Sequence, residues 1–169
     1  MTVLRSNTSG RSSEPLLPAS ATAAIKRRGW QIAGLALVGF ACISGAAILS
    51  YAPGDPSFNS ATDNDPVNLA GHWGAVFSDL VLQVVGYAAL IVPAALAVWA
   101  AMILTHGSLA KPAGRLGWLI LAVILGAVAL AGVTTPAGWP LAAGLGGVAG
   151  SLAYNELVMW AGRLGLRPA

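Results

Sequence analysis

Residues 80–110 contain no Asp, Glu, Lys or Arg. A run of that kind is what a membrane demands, because a helix needs about 20 consecutive apolar residues to cross a ~30 Å hydrocarbon core. Two more occur, at about residues 30–50 and 116–133, and a less regular fourth at about 141–162. Only 9% of the chain is charged and 56% is hydrophobic, where a soluble domain carries about 25% charged residues. The chain therefore reads as an all-α membrane protein, a bundle of three to four transmembrane helices with an extracytoplasmic loop and a Gly-rich interfacial segment.

Residues 1–25 are rich in Ser, Thr, Pro and Ala and show no apolar periodicity, which predicts a disordered cytoplasmic tail. Residues 26–169 form the anchor domain. Lys26, Arg27 and Arg28 precede span one, and Trp30 and Tyr51 stand at its ends as interfacial anchors. The span exceeds the ~7–15 apolar residues of a secretory signal peptide. Span two has its core at about 81–104, with Pro93 inside it predicting a kink. A helix starting near Gly74 would overrun the bilayer, so an interfacial helical start at 75–82 or a tilted helix is expected. Span three stops at Thr134, Thr135 and Pro136. The stretch at 141–162 holds Gly144, Gly146, Gly147 and Gly150, then Asn155 and Glu156. It reads either as a fourth span or as an interfacial or re-entrant segment.

Nine Lys and Arg against six Asp and Glu give a net charge of +3. The charges are distributed by topology and do not form a nucleic-acid-binding face. Arg5, Arg11, Lys26, Arg27 and Arg28 precede span one, and Lys111 and Arg115 lie between spans two and three. Both groups belong on the cytoplasmic side, which leaves the loop with Asp55, Asp63 and Asp65 outside. Cys42 has no partner for an internal disulfide. Gly144, Gly146 and Ala149 fit the letters of a dinucleotide fingerprint without its strand–turn–helix context. Asp63, Asn64 and Asp65 lack the rest of a calcium loop. His72 and His106 fall on opposite membrane faces. No phosphate-cradling Lys loop and no catalytic set is present, so no enzyme activity, cofactor or metal is expected of this chain. Asp79 and Glu156 are expected at the interface, given the cost of charge in lipid.

The loop after span one carries a specific order of residues. Tyr51, Pro53, Asp55, Pro56 and Ser57 are followed by Asn68, Gly71, Gly74, Ala75 and Asp79. That order, between the first two spans, resembles the N-terminal membrane domain of the FtsK/SpoIIIE-type DNA translocases. The resemblance implies a four-helix inner-membrane anchor at the bacterial division septum that contacts division proteins, with its N-terminus cytoplasmic. It also implies a linker, a hexameric motor that pumps DNA with ATP, and a winged-helix DNA reader. ATP, the hexamer and DNA would belong to those other domains. On this reading Tyr51, Pro53, Asp55, Pro56, Ser57, Asn68, Gly71, Gly74 and Asp79 are the candidate protein-contact loop. Gly146, Gly147 and Gly150 are candidates for close helix packing.

In the family the Gly-rich stretch precedes the last membrane helix, so the resemblance predicts a truncated or split anchor, with that helix beyond Ala169. Arg163 and Arg167 favour instead a fourth span with a cytoplasmic end. Two other classes remain: a transporter subunit, for which only Gln83 and Asn155 supply polar groups along a path, and a membrane scaffold unrelated to DNA.

Overall fold

The computed structural model describes residues 18–58, 60–139 and 141–165. Most of the tail expected at 1–25, together with Arg167, lies outside them. Among the described residues all regular structure is helical: α1 (Ala19–Leu49), α2 (Gly71–Val85), a 3-10 segment (Gly86–Leu90), α3 (Ile91–His106), α4 (Pro112–Ala131) and α5 (Gly147–Arg163). Helix α1 begins at Ala19, inside the stretch expected to be disordered. Its first turns hold Ala21, Ala23 and Ala24, residues of the highest helix propensity, and Pro18 stands at the N-cap.

Three helical runs are long and apolar enough to cross a membrane: Ser20–Leu49, Gly71–His106 and Pro112–Ala131. The second is not one helix. Gly86 has φ +60° and breaks it, and the chain restarts as α3 with Pro93 in the first turn. The chain is helical on both sides of this point, since the Ile91 N–H donates back to Ala88 O. Pro93, which has no N–H, thus stands in the first turn of α3, just past the change from 3-10 to α geometry. The 3-10 segment and α3 together span ~34 Å, enough for the hydrocarbon core without α2.

The packing uses small residues, as expected where lipid tails are as apolar as the side chains and close backbone approach drives association. A Cβ placed on Gly34 would lie 2.9 Å from Leu104, and one on Gly45 would lie 3.6 Å from Pro93. These two contacts set α1 and α3 antiparallel. Gly126 faces Ile91 and Ala88, and the Arg115 guanidinium reaches Met102 Sδ at 3.2 Å, so α4 runs antiparallel to α3. One end of the bundle is thus basic, with Lys26, Arg27, Arg28, Lys111 and Arg115. The other carries the loop after α1. At this loop end Ile48, Leu82 and Ala89 form the core, with Tyr51 and Leu141 against it. Most of α4 is bare: Ala127 alone is buried, while Leu116, Trp118, Ile120, Leu121, Ile124 and Leu125 are exposed, a surface suited to lipid.

Helix α5 starts against the loop end of α4 and crosses it. Gly146 faces Ala127 and Ala131, and Gly150 faces Ala127. Tyr154, one turn on, lies against Gly132. An antiparallel hairpin would carry residue 154 roughly 13 Å away from residue 132. Seventeen residues long, α5 falls short of the three membrane-crossing runs.

Candidate functional site

The loop between α1 and α2 is held down by side chains that bond to backbone. Four successive amides, those of Val67, Asn68, Leu69 and Ala70, each donate to a side-chain oxygen. The Val67 N–H donates to Asp55 Oδ1 at 2.8 Å and the Asn68 N–H to Asp55 Oδ2 at 2.9 Å. The Leu69 N–H donates to Ser50 Oγ at 3.0 Å, and the Ala70 N–H to Asn68 Oδ1 at 3.0 Å. No helix or sheet ladder serves this stretch, and these side chains take its place as acceptors.

Asn68 is the hub. It is 4% exposed, and its Nδ2 donates to Ala47 O at 2.8 Å, to Ser78 Oγ at 3.3 Å and to Ser50 O at 3.4 Å. The carbonyls of Ala47 and Ser50 belong to the last turn of α1, whose final C=O groups lack helical partners. Asn68 thus ties the loop to the end of α1 and to α2 together. The two glycines after it follow from that position. Gly71 turns the chain into α2 with φ +68°, and its N–H donates to Asn68 O at 2.8 Å. A Cβ on Gly74 would lie 2.5 Å from Asn68 Oδ1.

A second brace joins Tyr51 to α2. The Tyr51 hydroxyl donates to Asp79 Oδ1 at 3.2 Å, and Gln83 Nε2 donates to the same oxygen at 2.9 Å. Burial, then the negative charge of Asp79 and the hydrogen bond to it, push the Tyr51 phenol up to about 12. The folded state holds the phenolic proton more tightly than the unfolded chain. The resulting stability is complete below the ordinary tyrosine value of about 10 and is lost as pH rises through about 12. An alkaline titration of tyrosinate absorbance is expected to show one late-ionising phenol. Tyr51→Phe removes that step and costs about 1 kcal/mol of stability; unchanged late absorbance in the variant contradicts the assignment.

The candidate contact residues therefore divide. Asp55, Asn68, Gly74 and Asp79 are buried, and Tyr51, Pro56, Ser57 and Gly71 are half-buried. Only Pro53 is exposed. Asp55, Asn68 and Asp79 bond inward. Sequence reasoning missed Ser50, Ser78 and Gln83 as members of the same network. The signal was available, since Ser78 and Asp79 fall four to five residues after Gly74 on one face of α2.

The glycines expected at helix contacts lie against backbone of neighbouring elements. Gly86 and Gly147, with φ +60° and +67°, meet backbone to backbone. A Cβ on Gly147 would lie 2.5 Å from Gly86 N and 2.6 Å from Val84 O. The Tyr87 N–H donates to Leu145 O at 2.9 Å across the same crossing. Among the described residues no cluster of three or more metal-ligating side chains occurs.

A braced loop over three apolar crossing runs defines a multi-pass membrane domain. Residues 26–167 match the family described as the 4TM region of DNA translocase FtsK/SpoIIIE, and the chain belongs to that family. It is 36% identical over 131 residues to the DNA translocase FtsK of Rhizobium meliloti, covering 78% of this chain and 15% of the relative. It is 36% identical over 129 residues to that of Brucella suis, covering 76% and 15%. With the Rickettsia bellii protein the identity is 43% over 65 residues, covering 38% and 8%. The chain thus matches less than one fifth of the length of these relatives. No solved structure matches it.

Proposed function

We propose that this chain is the membrane anchor and septal-targeting domain of a bacterial DNA translocase that couples chromosome segregation to cell division. The observation that carries the reading is the family match across residues 26–167, on a helical domain with three membrane-crossing runs. The relatives are named DNA translocases. On this reading ATP hydrolysis, hexamer formation and DNA contact belong to motor and reader domains outside these residues, and the chain itself needs no cofactor. It sits in the inner membrane with the basic end cytoplasmic, as the Lys and Arg distribution favours, and with the braced loop outside.

The contact surface for division proteins is then the part of the loop that the braces leave free. Pro53 and Gly54 are exposed, as are Asp63, Asn64 and Asp65. The inward residues shape that surface and Asp63 to Asp65 give it its charge. The test is the position in dividing cells of the protein carrying a fluorescent tag. A ring at the septum is expected. Asp63→Lys with Asp65→Lys is expected to keep membrane insertion and lose the ring. A tagged wild type spread evenly around the cell membrane contradicts the targeting role. A ring that survives the double charge reversal contradicts the acidic tip as its contact.

A further inference from the structure

The polarity of α2 is inverted for a helix in water. Its buried residues are Gly74, Ala75, Ser78, Asp79 and Leu82, and they include its only acid. Trp73, Phe77, Leu80 and Val84 repeat at helical spacing and are all exposed, Trp73 by 80%. Apart from His72 in the first turn, every exposed residue of α2 is apolar, and an apolar stripe of that kind faces lipid, not solvent.

The position of the stripe agrees. Helix α1 ends at Leu49, and the chain returns to it from the loop at Val67. Leu69 and Ala70 then border the same surface hollow as Cys42, Ile43 and Ala46, with Asn68 bonded to Ala47 O, so the segment runs alongside the last turns of α1. Further along α2, Asp79 meets Tyr51 and Leu82 meets Ile48, so the helix climbs back toward the end of the span. Non-helical backbone at membrane depth is tolerated only where its polar groups are satisfied within the protein. The amides of Val67 to Ala70 are satisfied, each by a side chain.

Between the two helices runs a groove of about 170 Å³, lined by Phe40, Ile43, Ala47, Trp73 and Phe77, with Ser44. The Ser44 hydroxyl is occupied by Phe40 O at 2.7 Å, so no lining hydroxyl is left seeking a polar ligand. The groove opens onto the exposed Phe40 and Ile43 of α1 and is continuous with the lipid-facing surface of that span.

We propose that residues 67–84 form a wedge seated in the leaflet at the loop end, and that the α1–α2 groove holds an acyl chain of a membrane phospholipid. The loop order from Asp55 to Gly74 then has a physical purpose. Asp55, Ser50 and Asn68 cap the backbone of a segment that dips into lipid, and Asp79 is kept inside so that the outward face carries no acid. The inference needs only that the chain spans a bilayer and is independent of septal targeting.

The test uses the protein in phospholipid vesicles whose acyl chains carry bromine near the glycerol end or near the chain end. Tryptophan quenching is read as the difference between wild type and Trp73→Phe, a conservative change at an exposed position. The Trp73 component is expected to lose most of its intensity to the bromines near the glycerol end and to be indifferent to aqueous iodide. A Trp73 component quenched by iodide, or untouched by bromolipid, overturns the wedge. Trp99, inside α3, reports insertion in the same samples, so a protein that failed to insert is recognised separately. For the groove, Ala70→Leu is expected to abolish a phospholipid that wild type retains through detergent purification, read by native mass spectrometry. Absence of retained phospholipid on wild type, or its persistence in Ala70→Leu, overturns the groove assignment.

Discussion

Gly147→Val is expected to destabilise the protein more than any change on the surface of the bundle, by about 2–5 kcal/mol. Two costs add. A β-branched residue at φ +67° is forced into left-handed backbone, worth roughly 1–2 kcal/mol. Its Cβ also meets the Gly86 amide and the Val84 carbonyl at 2.5 and 2.6 Å; backbone on the far side cannot rotate away, and overpacking of that kind costs about 1–3 kcal/mol or more. Thermal unfolding in detergent, followed by circular dichroism, checks it. Gly39→Ala is the control. Gly39 lies within α1 with nothing near its Cβ position, and there alanine should be neutral or stabilising by up to ~1 kcal/mol. Equal losses from both changes would contradict the crossing.

The second large effect is expected at Asp55. Asp55→Ala leaves the Val67 and Asn68 amides without acceptors, at about 1–3 kcal/mol each, so a loss of roughly 2–6 kcal/mol follows. Asp55→Asn keeps one acceptor oxygen and should cost about half as much. Asp63→Asn, at an exposed position of the same loop, should change stability by less than ~0.5 kcal/mol. If Asp55→Ala unfolds no earlier than Asp63→Asn, the carboxylate does not brace the loop.

The crossing helices were legible because lipid imposes a crude rule. Uncharged runs of sufficient length mark α1, α3 and α4 almost by themselves. The break at Gly86 was not legible for the same reason: residues 80–110 carry no Asp, Glu, Lys or Arg, and the absence of charge does not mark where one helix stops. What selects the break is Leu145, whose carbonyl receives the Tyr87 amide from far along the chain. The loop was legible as a pattern, while the inward direction of its buried residues was not. Asp and Asn between two spans look like solvent-facing turn residues. Asp55 and Asn68 turn inward because the backbone they serve lies beside α1. The helical spacing of Trp73, Phe77, Leu80 and Val84 was the available clue, since an apolar stripe opposite Ser78 and Asp79 requires lipid on the outside. Span one was also longer than its apolar core indicated, because the alanines before Lys26 extend the helix into the tail.

Amide hydrogen exchange of the protein in micelles, read residue by residue along the loop, tests the central claim that this loop is braced against the spans. The amides of Val67, Asn68, Leu69 and Ala70 are expected to be protected in wild type. Those of Val67 and Asn68 should become fast in Asp55→Ala, while those of the exposed Asp63 and Asp65 exchange freely in both. Exchange at 67–70 as fast as at Asp63 and Asp65 in wild type would contradict the account, leaving an open tether where the structure has a clamp.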